Sequence, residues 1–445
     1  MDKPLRQKLW AIGEQVLLGL SPSRCLSRTI WREGHVLKAG PVSLDLSAFR
    51  RVVAVGFGKA SAGMAQALEE ILGDRLERGA VIVPPGYGAC PKVIRVLEAG
   101  HPLPDDRTLS ASQEILAEVG SLGPADLLLV LVSGGGSALF EIPAPGLTLA
   151  DLRRTTALLL RCGATIGEIN VVRKHLSQVK GGGLLQHTQA GVILTLVLSD
   201  VPGDDPSLVA SGPTVPDPST FAMARAVLEL YRVWETVPKP VREHLQGGER
   251  GEFPETRKPG DPLFARVHTV VVGSGRVGAE LAASVAEKLG FHVQILTTTL
   301  RGEAREAGRM LAALAEEELG HERPLPLPAL FVLSGETTVT VRGAGLGGRN
   351  QELALSFALE VAGKAGVALL SLATDGRDGP TDAAGALVDG GTAERARKGG
   401  LEPRRALATH DSYRALLVSG DLLRLGPTGT NVADLVLLGV ERGSR

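Results

Sequence analysis

At 445 residues the chain exceeds what one hydrophobic core comfortably fills, so two domains of ordinary size are expected. With 48 basic against 49 acidic residues its formal net charge is −1, which excludes a whole-chain field that would gather nucleic acid or an anionic membrane surface. Three cysteines, Cys25, Cys90 and Cys162, are odd in number and far apart, which excludes a disulfide framework and a clustered thiolate metal site and suits a reducing cytoplasm.

No apolar run approaches the roughly 20 residues of a membrane span, and nothing in the first residues reads as a targeting signal. Only three asparagines occur, Asn170, Asn350 and Asn431, in a chain rich in Arg, Glu, Ala and Leu. That usage suits a heat-adapted protein and marks the three asparagines as candidates for chemistry.

Residues 4–20 and 22–34 read as two helices, the second opened by Ser21-Pro22. The buried strand Arg51-Val52-Val53-Ala54-Val55 leads into Gly56-Phe57-Gly58-Lys59-Ala60 and a helix to about Leu72. An ammonium at a helix start is disfavoured by the dipole unless an anion lies between them, so Lys59 is a candidate ligand contact; its bland reading is a solvated lysine. Val53 and Ala60 stand where a Walker A loop needs Gly and Ser/Thr, so this is not that motif. Further strands are expected at 80–83 and near 93–97, followed by a loop, 100–106, in which His101 is a weaker contact candidate.

The apolar run 126–132 predicts a buried parallel strand, ending in Ser133-Gly134-Gly135-Gly136-Ser137. Ligands of open parallel sheets collect outside the strands' carboxyl ends, so this turn and Gly58-Lys59 are expected to face one crevice. After a helix at 148–163, residues 168–183, Lys180 among them, read as a basic polar face. The strand 191–198 ends in Ser199-Asp200, which brings carboxylates to the crevice. A rigid loop, 211–218, precedes a helix at about 220–234, and a Pro/Gly-rich polar stretch then marks a boundary. The division expected is 1–245, a linker at 246–264, and 265–445.

The second half restarts with a strand at 267–272 and Gly273-Ser274-Gly275-Arg276-Val277-Gly278. This fits a dinucleotide fingerprint, yet the next strand ends in threonines rather than the acid that fingerprint wants, so a packing turn is an equal reading. A helix near 303–319 leads to residues 330–336, ending in Glu336 and read as a hairpin. Gly343-Ala344-Gly345-Leu346-Gly347-Gly348-Arg349-Asn350-Gln351 then opens an apolar helix. Four glycines, a helix start and a guanidinium together read as an anion cradle, against the bland reading of a tight turn. Past a strand at 367–372, three carboxylates, Asp375, Asp378 and Asp382, crowd one turn, and residues 426–434 precede a last strand.

Glycine turns, scattered Lys and Arg, and carboxylate loops without His/Cys ligand spacing suit magnesium and phosphate chemistry better than zinc. No GxSxG elbow or Cys/His pairing supplies a protein nucleophile, which suits phosphoryl transfer.

Over nearly its whole length the sequence resembles the MOFRL-type class-II glycerate 2-kinases. The stretches that carry the likeness are 56–63, 100–106, 133–139, 172–183, 199–205, 211–218, 334–336, 345–352, 373–382 and 427–434. The resemblance implies an α/β protein with a Rossmann-like parallel-sheet domain, a second mixed-sheet domain, and an active site in the cleft between them. It implies ATP and Mg2+ as cofactors, glycerate as the small-molecule partner, neither nucleic acid nor membrane, and a homodimer as a possible assembly. Family catalytic positions carry over to Lys59, Asp200 and Arg349. Substrate or phosphate contacts are expected at Gly58, Ser133, Gly134, Gly135, Gly136, Ser137, Lys180, Glu336, Gly347, Gly348, Asn350 and Asp375, and metal at Asp200 or Asp375. Ala433 departs from the polar residue expected in the last motif. A hydroxypyruvate or tartronate reductase and a non-catalytic nucleotide or hydroxy-acid sensor are the alternatives.

Overall fold

Strands that are apolar on both faces need cover on both sides, and this demand organises the first of two structural units, Cys25–Ser199 with Asp205–Val272. The structure is a computed structural model that describes residues 3–87 and 89–443. The unit opens with a small antiparallel sheet, β1 (Ile30–Glu33), β2 (Val36–Ala39) and β3 (Val42–Asp45). The helix expected over 22–34 therefore stops at Thr29, where Ile30-Trp31, a β-branched and an aromatic residue, hands the chain to a strand.

The main sheet follows with β4 (Arg51–Phe57), β5 (Arg78–Val83), β6 (Ile94–Glu98), β7 (Asp126–Ser133), β8 (Val192–Leu198) and β9 (Val267–Gly273), in spatial order β6-β5-β4-β7-β8-β9. Pairings from β6 through β8 are parallel. The chain winds outward from β4 to β6 and then restarts at β7 on the other side of β4. The gap outside the carboxyl ends of β4 and β7 is the topological switch point, where such sheets hold ligands.

The second unit comprises Met1–Arg24, Asp200–Asp204 and Gly273–Arg445. Its mixed sheet contains β10 (His292–Leu300), β11 (Ala329–Gly335), β12 (Val367–Ala373), β13 (Gly385–Asp389), β14 (Leu422–Leu423) and β15 (Asp434–Val440), in order β10-β11-β15-β12-β13-β14. Only β10 and β11 run parallel; β15 lies antiparallel between β11 and β12. The hairpin expected at 330–336 is thus a strand whose antiparallel partner comes 100 residues later, Ser334 facing Leu435 and Gly335 facing Asp434.

The units are not the contiguous halves expected. Helix Lys3–Gly19 belongs with the mixed sheet: Leu5 and Leu9 are fully buried against Gly439, and Arg6 pairs with Asp389 and Asp421 at 2.9 Å each. The strand expected to open the second domain is instead β9, beside β8 on the edge of the first sheet. Arg266 ties its start to the carbonyls of Leu185, Thr188 and Ala190. A Pro/Gly-rich linker signals freedom of the backbone, and it cannot say which sheet supplies hydrogen bonds to the strand that follows.

Candidate functional site

At the switch point, Gly58 follows β4 with φ +132°, and a Cβ there would stand 2.2 Å from the Ser133 hydroxyl. Only glycine lets the two turns touch. The contact is then sealed by hydrogen bonds: the Lys59 amide donates to the Gly134 carbonyl at 2.9 Å, and the Ala60 amide to Ser133 Oγ at 3.0 Å. Gly135, at φ +83°, leaves its missing side chain's place to His101 Nε2 and the stem of Lys59, 3.0 and 3.4 Å away. Gly58, Lys59, Ser133, Gly134, Gly135 and His101 are thus brought together in one unit, with Gly136 and Ser137 continuing the turn.

Ser137 Oγ lies 2.8 Å from Ser211 Oγ, whose own proton goes to Asn170 Oδ1 at 2.9 Å. Since Ser211 has one hydroxyl proton, Ser137 is the donor to it and keeps only lone pairs for a ligand. Ala210 and Ser211 hold left-handed φ values of +51° and +61°, a strained backbone maintained by the Gly181 amide bonding to the Ser211 carbonyl. Asn170 is accordingly buried and orders this corner, its Nδ2 donating to the Leu208 carbonyl.

The basic face expected over 168–183 is mostly interior. Lys180 is 1% exposed, with its ammonium 2.8 Å from the Phe140 carbonyl and 2.9 Å from Glu141 Oε2. Burial lowers its pKa, with Glu141 opposing. It is held as a buried ion pair and is not part of an exposed basic face. Lys174 is likewise buried against Asp217 at 3.4 Å. Charge pattern could not reveal this, because the turns that bury these lysines come from residues 140–141 and 211–217.

In the mixed-sheet unit, helix Arg349–Glu360 begins where the anion cradle was expected, and the cradle is filled by the protein itself. Asp378 accepts from the amides of Asn350 at 3.2 Å and Gln351 at 2.9 Å, and from Gln351 Nε2 at 2.9 Å. A Cβ on Gly348 would lie 2.3 to 2.5 Å from that carboxylate, and one on Gly347 2.2 Å from Ser412 Oγ. The glycines make room for side chains of their own fold, which gives Gly347 and Gly348 a packing reason. Asn350 is buried, taking a proton from Ser371 at 2.6 Å on its Oδ1. Burial, reinforced by the nearby Asp434 charge, pushes the Asp378 carboxyl up to about 6.

Arg349 spends its fork within the fold. Nε and Nη2 reach the two oxygens of Asp434 at 2.6 and 2.9 Å, and Nη1 reaches Glu336 at 2.7 Å. Burial works against the guanidinium charge, and the carboxylates of Asp434 and Glu336 outweigh it, so its pKa is raised. The expectation that this fork stands open for substrate is corrected: its bidentate partner is Asp434.

One loop bonds to the Asp200 side chain, to the Thr374 hydroxyl and to the Asp375 backbone. The Thr428 amide donates to the Asp375 carbonyl at 3.3 Å, Val432 N to Thr374 Oγ1 at 3.0 Å, and Asn431 Nδ2 to Asp200 Oδ2 at 2.9 Å. The departure at Ala433 is absorbed by the backbone: its carbonyl, at φ +73°, accepts from Thr374 Oγ1 at 2.6 Å, so the side chain is not what this position uses. Asp200 and Asp375 are half-buried hard oxygen donors, the first accepting from Asn431 Nδ2 and the second from the Arg377 amide at 3.0 Å, and among the described residues no cluster of three or more His, Cys, Asp or Glu forms a protein-only metal cage. That donor set fits Mg2+, which is commonly held by one or two carboxylates together with substrate phosphates.

The dinucleotide-like glycines have packing roles. A Cβ on Gly275 would stand 2.3 Å from Ser334 Oγ, and one on Gly278 3.2 Å from Leu20. Two residues given no role in the sequence reading carry weight here, Asp434 and Asp378. Asp378 lay among the three carboxylates of one turn and Asp434 closed the last motif, but their partners are 28 and 85 residues away.

Residues 8–246 match the family model described as a domain of unknown function, DUF4147, and residues 329–434 match the MOFRL family. A glycerate 2-kinase of Pyrococcus horikoshii is 45% identical over 87% of both chains. A protein of Agrobacterium vitis named a putative hydroxypyruvate reductase is 42% identical over 87% of each. The crystal structure of a glycerate kinase from Thermotoga maritima superimposes with a TM-score of 0.85 at 40% identity, covering 98% of this chain and 100% of that one. The chain belongs to the DUF4147 and MOFRL family of glycerate 2-kinases.

Proposed function

We propose that this protein transfers the γ-phosphoryl group of ATP to D-glycerate, giving 2-phosphoglycerate. The observation of this chain that supports the reading is the switch-point turn, in which Lys59 is carried by a glycine-mediated contact between β4 and β7. Phosphoryl transfer asks the protein for positioning and charge neutralisation more than for a nucleophile. Lys59 would neutralise transferring phosphoryl oxygens. Arg349, locked by Asp434, would contribute positive charge toward the phosphates. Asp200, oriented by Asn431, would accept the proton of the attacking hydroxyl or hold Mg2+, with Asp375 as the other metal candidate. Asp200 and Asp375 would be the residues to hold Mg2+, which when bound would supply charge neutralisation to the phosphates.

The reductase reading loses its one sequence feature, because packing accounts for both Gly275 and Gly278. The test is a pair of assays on the purified protein: ATP consumption with D-glycerate and Mg2+, and NADH oxidation with hydroxypyruvate. Phosphorus NMR of the product is expected to show 2-phosphoglycerate. NADH oxidation without ATP consumption would overturn the reading, and ligand binding without either turnover would favour a sensor.

A further inference from the structure

Beside the switch-point turn, within the parallel-sheet unit, lies a cleft of about 460 Å3 counted out to its open mouth. Its lining is apolar at Leu152, Leu159 and Val172 and polar at Ser137, Thr155, Thr156, Arg173 and the more exposed Arg153. Arg173 is half-buried there and makes no ion pair among the described residues. Its one side-chain hydrogen bond is from Nε to Thr156 Oγ1 at 3.4 Å, which leaves the two terminal nitrogens without a protein partner among the described residues. Glu141 also lines the cleft, but its oxygens are taken by Ser177 and Lys180. Burial lowers the Arg173 pKa and the Glu141 charge only opposes this, the signature of a cation short of a close counter-charge.

A cleft holding an open guanidinium fork and, from Ser137, a hydroxyl with only lone pairs to offer matches the two polar ends of a small hydroxy acid: a carboxylate that accepts and a hydroxyl that donates. Arg349 and Lys180, two other basic residues marked in the sequence, are already committed to Asp434 and Glu141, and Lys59 is assigned above to the phosphoryl oxygens. We propose that Arg173 binds the carboxylate of the hydroxy-acid substrate, with Ser137 accepting from one of its hydroxyls, an assignment that rests on the kinase reading above.

The test compares D-glycerate with glyceramide, its neutral carboxamide, in the wild type, Arg173→Met and Arg173→Lys, by steady-state kinetics and by calorimetric binding of D-glycerate alone. In the wild type, kcat/KM is expected to favour glycerate. Arg173→Met should lose on the order of 10²-fold for glycerate, mostly in KM, with little change for glyceramide or in the KM for ATP, and Arg173→Lys should recover part of the loss. Equal losses for glycerate and glyceramide would show a packing role, and a rise in the KM for ATP a nucleotide contact; either overturns the assignment. Phosphate transfer with Arg173→Met unchanged overturns the carboxylate site alone. Glycerate binding through Arg173 without phosphate transfer overturns the kinase reading and leaves the site standing, and absence of both overturns both.

Discussion

Asp434 grips Arg349 through both carboxylate oxygens, Nε to Oδ2 at 2.6 Å and Nη2 to Oδ1 at 2.9 Å, so the first residue of a helix is clamped to the first residue of a central strand. A planar fork meets a planar carboxylate here, and lysine cannot rebuild the second contact. Arg349→Lys and Asp434→Asn are each expected to lower kcat/KM by on the order of 10²-fold, and the double variant to lose much less than the product of the two. Multiplicative losses in that double-mutant cycle would mean the clamp does not set the arginine's role.

Gly348→Ala separates the two readings of the glycine loop. A methyl group would enter the space of the Asp378 carboxylate, so the variant is expected to lose about 2 kcal/mol or more of stability in urea titration. A phosphate cradle would predict the opposite pattern, unchanged stability and weakened nucleotide binding. That result would restore the cradle.

The Asp378 carboxyl sits at about 6 in the folded protein against an ordinary value of 3.8. The folded state therefore binds the proton more tightly than the unfolded chain. Stability from this group is fully present below about pH 4 and is lost as pH rises through about 6. The shift corresponds to about 3 kcal/mol, so the stability difference between wild type and Asp378→Asn should move in the wild type's favour by up to that amount as pH falls from 7 to 4. Denaturant titrations at several pH values would read it, and a pH-independent difference would rule out the titration.

Asp200→Asn keeps the size of the side chain and one acceptor for Asn431 Nδ2 while removing charge and basicity. Turnover is expected to fall by roughly 10²-fold or more with an unchanged melting temperature. A metal role would also raise the Mg2+ concentration needed for half-maximal activity. A lower melting temperature with unchanged turnover per folded molecule would instead make Asp200 a structural cap.

Asn431→Ala removes the donor that orients Asp200 without touching its charge. A fall in kcat of roughly tenfold, and a smaller one than in Asp200→Asn, is expected. Full activity would mean that Asp200 is held by other contacts.

The local sequence by itself determined the α/β class, the glycine turns at the ends of β4 and β7, and the helix that follows Arg349, because these depend on apolar runs and on turn chemistry within a few residues. It also determined that Gly58 and Ser133 share one crevice, since parallel strands place their carboxyl ends on one side. Only tertiary structure decided that the anion at the helix start is Asp378, that Asp434 occupies Arg349, and that Lys180 is interior. It likewise decided that helix Lys3–Gly19 belongs with a sheet whose first strand begins at His292. Each of these is a charge or an apolar face whose partner lies from about 30 to several hundred residues away. Local periodicity says that such a group needs a partner, and the fold alone names it.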